Sequence, residues 1–304
     1  MTHHTARELI PYQTEPKAMR VGVPGKTGFL RMDFELDHNG KSILRNLDRR
    51  VPIIVQQALY FDEEMPGMPC VYILSSGGQN VDGDRYRQDI SVGKDAYAFI
   101  STGAATKLAE MKFNYSAMEQ HFTLGENAYL EYLPEPTIPC RHTRFFSSTR
   151  LTVHSTATIF YSEIYMGGRK YYNEGELFQY DLLSIGSCGE RPDGAPLFRE
   201  KMLIEPHKQN IRSIGVMHGY DVFANIIVMT PPDKAAAIYS RIMPYIDQRK
   251  DSALGITTLP NECGLLIRIL GPEASPVKEK AREICSIVRQ CVKGKPLPQE
   301  FPWR

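Results

Sequence analysis

The sequence has no Cys-x-x-Cys pair, although six cysteines (Cys70, Cys140, Cys188, Cys263, Cys285 and Cys291) are scattered over its 304 residues. Between Met1 and Met19 there is no apolar stretch of the kind that marks a secretory signal, so free thiols in a reducing cytoplasm are expected. Charge of one sign is also missing. With 36 Lys and Arg against 35 Asp and Glu, the net charge of +1 offers no bulk attraction to nucleic acid or to an anionic membrane. No apolar run approaches the length that spans a bilayer. Neither nucleic acid nor membrane is therefore expected as a partner.

Catalytic signatures are equally scarce. Gly-x-Ser-x-Gly, His-Glu-x-x-His and Gly-x-Gly-x-x-Gly are all absent. Gly22-Val23-Pro24-Gly25-Lys26-Thr27 ends like a phosphate-binding loop, but Arg20 stands where that pattern needs glycine, and a strand rather than a helix is expected to follow. His207 and His218 have no cysteine or carboxylate at ligand spacing. Nothing assembles a nucleophile with its base.

What is present is a globular balance, 42% hydrophobic and 23% charged, in which strands dominate. Residues 1–27 read as an irregular arm carrying Pro11, Pro16 and Pro24. Residues 29–36 alternate, with Leu30, Met32, Phe34 and Leu36 on one face and Arg31, Asp33 and Glu35 on the other. Further strands are expected at 42–47, 53–61 and 70–74. From Arg85 to about Glu205 the period of two persists without long helical patterns.

A faint repeat runs through this stretch. Gly93-Lys94-Asp95-Ala96-Tyr97 resembles Gly125-Glu126-Asn127-Ala128-Tyr129, and His154-Ser155-Thr156-Ala157-Thr158 is a looser third copy. Alanines roughly thirty residues apart fit stacked units. The expected fold is mainly β, with strands stacked in a β-helix or solenoid-like manner over 28–219. The same turn-and-strand grammar would also suit a β-sandwich. A smaller α+β lobe (β-α-β-β-α) is expected over 220–294, with strands at 222–229, 253–258 and 264–270. Its helices would run from Pro231-Pro232 through Gln248 and over 277–292, the second with Lys and Arg facing solvent. A tail, 295–304, holds Trp303, either packed or loose.

Carboxylates in apolar surroundings are the candidate functional residues. Glu131, Glu163 and Glu176 each lie in or beside an apolar run, where a charge is costly unless paired, protonated or bound to a metal. Glu163 shares a strand face with Ile159 and Tyr161; it could pair with Arg169 or serve a polar path. Asp82 and Asp84 end a glycine-dense loop and suit either a divalent cation or capping of backbone N–H groups. Gly83 there is expected to need a left-handed backbone. Cys140 and His142 could face one way on a strand and bind a transition metal, or be an ordinary thiol and a loop histidine. Glu131 and Glu135 could form a hydrolase acid–base pair.

Five motifs occur in order: Gly83-Asp84-Arg85, Thr102-Gly103-Ala104-Ala105-Thr106-Lys107, Leu130-Glu131-Tyr132-Leu133-Pro134, Gly168-Arg169 and Gly175-Glu176-Leu177-Phe178. Together they resemble the urease accessory protein UreD (UreH) family, from about Gly28 to the C-terminus. Departures are Tyr132 where many members have Trp, Glu135-Pro136 after it, a more polar loop before Asp84, and two extra residues before Gly175. The extra residues leave Glu174 and Glu176 as competing matches for the family acid, with Phe178 favouring Glu176.

The resemblance implies a mostly β, β-helix-like protein with a smaller helical part and no enzymatic activity. It implies partners: a UreF-like accessory protein, a UreG-like GTPase and the urease apoprotein. It further implies no tightly bound cofactor but nickel (Ni2+) in transit through an internal passage, with Asp84, Glu131, Glu163 and Glu176 as its expected transient ligands. A carboxylate-dependent hydrolase and a pure interaction scaffold are the competing readings.

Overall fold

The structure, a computed structural model, describes residues 3–14, 25–247 and 252–298. Trp303 and Gly22 to Pro24 lie outside them. Two short 3-10 turns, His3–Thr5 and Arg7–Tyr12, come first. Strands β1 (Thr27–Leu36) and β2 (Ser42–Arg50) then form an antiparallel hairpin. Its turn is held by Asp37, which accepts bonds from the N–H groups of Asn39 and Lys41, and Gly40 there takes a φ of 77°. A strand follows Lys26, as the sequence requires, and no phosphate-loop helix does.

β3 (Ile53–Ile54) is far shorter than the expected strand at 53–61. Val55 drops into the core between the sheets, whereas Phe61 packs on the opposite side with the C-terminal cluster. A chain that crosses from one side of a sheet to the other cannot stay paired along its edge. β4 (Cys70–Ser75) follows as expected.

The next strands come in a repeating order: β5 (Arg85–Val92), β6 (Tyr97–Thr102), β7 (Thr106–Leu108), then β8 (Ser116–Leu124), β9 (Tyr129–Tyr132), β10 (Thr137–Pro139), then β11 (Arg144–Val153) and β12 (Thr158–Met166). β5, β8 and β11 lie parallel in one sheet; β6, β9 and β12 lie parallel in another. β7 pairs in parallel with β10.

The corners between the two sheets are where the sequence repeat falls. Ala96, Ala128 and Ala157 are each essentially inaccessible, and each N–H bonds to the carbonyl three residues before it, at Gly93, Gly125 and His154. Successive corners stack, with Tyr129 N–H on Ala96 O and Thr158 N–H on Ala128 O. Only a small side chain fits between such layers. Asp95 and Asn127 adopt φ values of 59° and 55°, and the Asn127 amide reaches Asp95 at 2.9 Å.

β13 (Gly168–Arg169) and β14 (Glu176–Leu177) form a small hairpin, and β15 (Leu182–Glu190) and β16 (Pro196–Ile204) complete the first sheet. That sheet has seven strands in the order β16-β15-β11-β8-β5-β1-β2, and the second continues beyond β12 into the C-terminal segment. There β17 (Val222–Met229) pairs antiparallel with β12. Helix α1 (Pro232–Tyr239), β18 (Tyr245–Asp247), β19 (Ser252–Thr258), β20 (Gly264–Gly271) and α2 (Ala274–Lys293) follow.

The first helix does not run through to Gln248, which itself lies outside the described residues. Pro244 lacks an N–H and biases Met243 away from helix, so the chain leaves the helix at Ser240 and re-enters the sheet at Tyr245. α2 buries Val277, Ala281, Ile284, Cys285 and Val288, one face at helical spacing, against the outer side of the second sheet. Gly294 closes it at a φ of 69°, donating to Gln290 O. The protein is thus mainly β with a C-terminal helix, and its main core lies between two open sheets.

Gly83 sits at a φ of 78°, as the glycine-dense loop suggests, and its N–H donates to Tyr115 O. Gly83→Val should lower stability by about 1–3 kcal/mol, read as a fall of several degrees in Tm. An unchanged Tm would contradict the strained-loop assignment.

Candidate functional site

Side-chain parity along β9 decides the fate of Glu131. Leu130 and Tyr132 point between the sheets, so Tyr129 and Glu131 point the other way, beneath α2. There Glu131 is fully buried and accepts two bonds from Arg289, Nε at 2.7 Å and Nη2 at 2.6 Å, and one from Tyr129 at 2.5 Å. Arg289 also donates to Asp62 at 2.5 Å. Burial disfavours the guanidinium charge, but the Glu131 carboxylate more than offsets this and holds Arg289 above its ordinary pKa. Burial and Asp62 push the neighbouring Cys70 thiol up to about 12. Arg289, expected on the solvent side of its helix, is instead the largest fully buried side chain among the described residues.

Asp84 and Asp82 cap backbone. Asp84 accepts from the N–H groups of Lys26 and Val81, both at 2.9 Å, and from Tyr86 OH at 2.7 Å, with Lys26 Nζ 3.2 Å away. Asp82 accepts from the three consecutive N–H groups of Lys112, Phe113 and Asn114. The lysine of the phosphate-loop-like segment is therefore occupied by Asp84.

Glu176 faces Arg169 across the β13–β14 hairpin in a two-pronged pair, both bonds 2.7 Å. Arg169 holds the Glu176 carboxyl below its usual pKa. Of the two readings for Glu163, the ion pair with Arg169 is therefore not formed. Glu174, the competing candidate, is exposed.

Glu163 differs from the other three. In β12 it shares the inward face with Ile159 and Tyr161, between the sheets, opposite to the face Glu131 uses. Its Oε1 accepts from Tyr165 OH at 3.1 Å and weakly from Ser147 Oγ at 3.5 Å. Its Oε2 is buried with no partner, and no basic group among the described residues pairs with it. Burial pushes its carboxyl up to about 7; hydroxyls from Tyr161 and Tyr165 oppose the rise and the Glu200 charge adds to it.

Glu163 lies at the end of a polar vein through the apolar core. Gln120 donates to Gln88 at 2.9 Å and to Tyr132 OH at 2.8 Å, and accepts from Tyr161 OH at 3.0 Å. Thr149 bonds Tyr161 OH at 2.8 Å, and the rings of Tyr132 and Tyr161 stack 5.4 Å apart. Gln88 and Gln120 occupy inward positions of otherwise alternating strands, a signal the sequence carried unread. So does Asn225, which stands opposite Glu163 inside the apolar β17.

The remaining candidates separate. Cys140 is buried, with burial raising its pKa, whereas His142 is exposed and bonds Asp181 at 3.1 Å. His207 lies 3.8 Å from the same Asp181, a partner that sequence spacing could not reveal. Glu135 pairs with Lys278 of α2 at 2.7 Å. All six cysteines are free. Among the described residues no cluster of three or more His, Cys, Asp or Glu is built to hold a metal ion.

Comparison with known proteins agrees with the motif order. The family model described as UreD urease accessory protein matches residues 26–304. The chain belongs to the UreD family. Urease accessory protein UreD 2 of Brucella suis is 45% identical over 298 residues, covering 98% of each chain. UreD 3 of Methylorubrum populi is 46% identical over 301 residues, 99% of this chain and 96% of that one. UreD of Yersinia enterocolitica is 41% identical over 305 residues, 98% and 93%. Among the described residues no helix is long and apolar enough to cross a membrane.

In this member of the family, a Glu163 pKa of about 7 against an ordinary 4.5 means the folded chain keeps a proton that the unfolded chain has released. Stability from this group is full below the unfolded value and is lost as pH rises through about 7, by up to about 3 kcal/mol. Glu163→Gln removes that dependence. Urea unfolding at pH 5 and pH 8 should show the variant gaining on the wild type as pH rises. Parallel pH profiles would contradict the buried, unpaired acid.

Proposed function

We propose that this UreD-family protein works in the cytoplasm as a non-enzymatic accessory protein. In this reading it scaffolds a UreF-like protein and a UreG-like GTPase on apo-urease and supports nickel delivery to the urease metallocentre. The strand winding between two sheets is then a β-solenoid-like frame for a passage. Family membership supports the accessory role, since the relatives are named urease accessory proteins. For nickel in transit the single supporting observation is Glu163, a buried carboxyl with an open oxygen and no counter-charge.

A conducting site must bind and release, which weak oxygen donors do and a tight Cys/His cage does not. Of the four acids expected along a nickel path, Glu163 fits best. Asp84, Glu131 and Glu176 already face Lys26, Arg289 and Arg169, and a cation arriving there would have to displace a bound one. The hydrolase reading is weakened in the same way. Glu131 is committed to Arg289 and Glu135 to Lys278, so neither carboxyl is free to act as acid or base. A pure interaction scaffold differs from the proposal only in nickel dependence.

Glu163→Gln keeps the size and strands no partner charge, so the variant should fold and copurify with the UreF-like and UreG-like proteins. Urease matured with it at limiting nickel should contain several-fold less metal and be correspondingly less active. Full activation at limiting nickel would reject the transit role. Loss of the complex would assign Glu163 to the fold instead.

A further inference from the structure

Between β16, β17, β20 and the loop 205–219 lies a pocket of about 710 Å3. Met202, Ile204, Met217 and Phe223 give it apolar walls, and Asn225 and Arg268 line it from neighbouring strands, opposite one another in register. Val216, half-exposed, forms part of its rim, and the adjacent Ile214 is 87% exposed.

The polar side of this pocket is incomplete in one sense only. Asn225 is 2% exposed, yet its Oδ1 accepts no hydrogen bond. Two neighbours share the condition: Glu163, which faces Asn225 across β12 and β17, and Glu200, which holds Arg268. Native interiors leave few such atoms, and three around one spot call for a donor. The nearby cations are already committed, Arg268 to Glu200 and Arg212 to Asp221. What stays open is therefore acceptor capacity, behind apolar walls.

We propose that this pocket receives an apolar segment of a protein partner whose Arg or Lys side chain donates to Asn225 Oδ1. A bare ion has no use for apolar walls; an amphipathic side chain uses both the walls and the acceptors. Anchors of this kind, fully desolvated in a pocket, carry most of the energy of an interface. The inference rests on the scaffold reading above in requiring a protein partner.

Two substitutions and one probe test it, with the UreF-like protein as partner. Asn225→Leu has similar size and replaces an unpaired acceptor by hydrocarbon, so the free protein should melt at or above the wild-type temperature. Its affinity for the partner should fall tenfold or more. Val216→Glu, at the half-exposed rim, should weaken binding at least as much and decides the matter if Asn225→Leu does not fold. Overlapping peptides of the partner supply the probe. The one that binds should carry Arg or Lys, and norleucine at that position should lose at least tenfold. Wild-type affinity in both variants would overturn the inference, as would a binding peptide with no basic residue. So would an Asn225→Leu protein that keeps its partner and loses nickel, since the pocket would then serve the ion. A wild-type chain that fails to bind the partner at all overturns the scaffold reading and this inference together.

Discussion

Arg289 is held, buried, between Glu131 and Asp62, and much of the structure hangs on that contact. It joins the C-terminal helix to a strand of the stacked region and to the segment ahead of β4. Three charges out of water are tolerable only when each is met by good hydrogen bonds, and here Arg289 is met on both sides with Tyr129 adding a third bond to Glu131. Removing one partner leaves a buried charge unmatched. α2 can therefore dock in one register only, and its apolar face seals the outer side of the second sheet.

Glu163 shows the same side chain under the opposite constraint. One strand over and on the other face of the same sheet, it has burial without a counter-charge. A carboxyl so placed favours its neutral form and keeps unspent capacity to accept a donor or a cation. The two glutamates sit in similar apolar stretches of the chain. Their roles diverge because adjacent strand positions point to opposite layers, one supplied with an arginine and one with tyrosines, serine and asparagine.

Much of the frame was legible because it is local. Alternation located the strands, the spaced alanines marked the stacked corners, and the glycine-dense loop foretold the positive φ at Gly83. The family was legible from the order of five short motifs. Pairing over distance was not. Arg289 meets Glu131 and Asp62 across 158 and 227 residues, and on a helical wheel it reads as one more solvent-facing arginine. A pair between Arg169 and Glu163 was one of two open readings, whereas a hairpin of two-residue strands turns Arg169 onto Glu176. The expected helix through Gln248 took no account of Pro244, which ends α1 early. Asn225 was hidden in a strand read only for its hydrophobicity.

The central claim is that Glu131 holds the fold and Glu163 does not. Unfolding free energies of Glu131→Gln and Glu163→Gln, measured side by side at pH 8, test it most directly. The account predicts that Glu131→Gln, which strands part of a buried guanidinium, loses about 3 kcal/mol or more. Glu163→Gln should equal or exceed the wild type. A loss in Glu163→Gln as large as that in Glu131→Gln would contradict it.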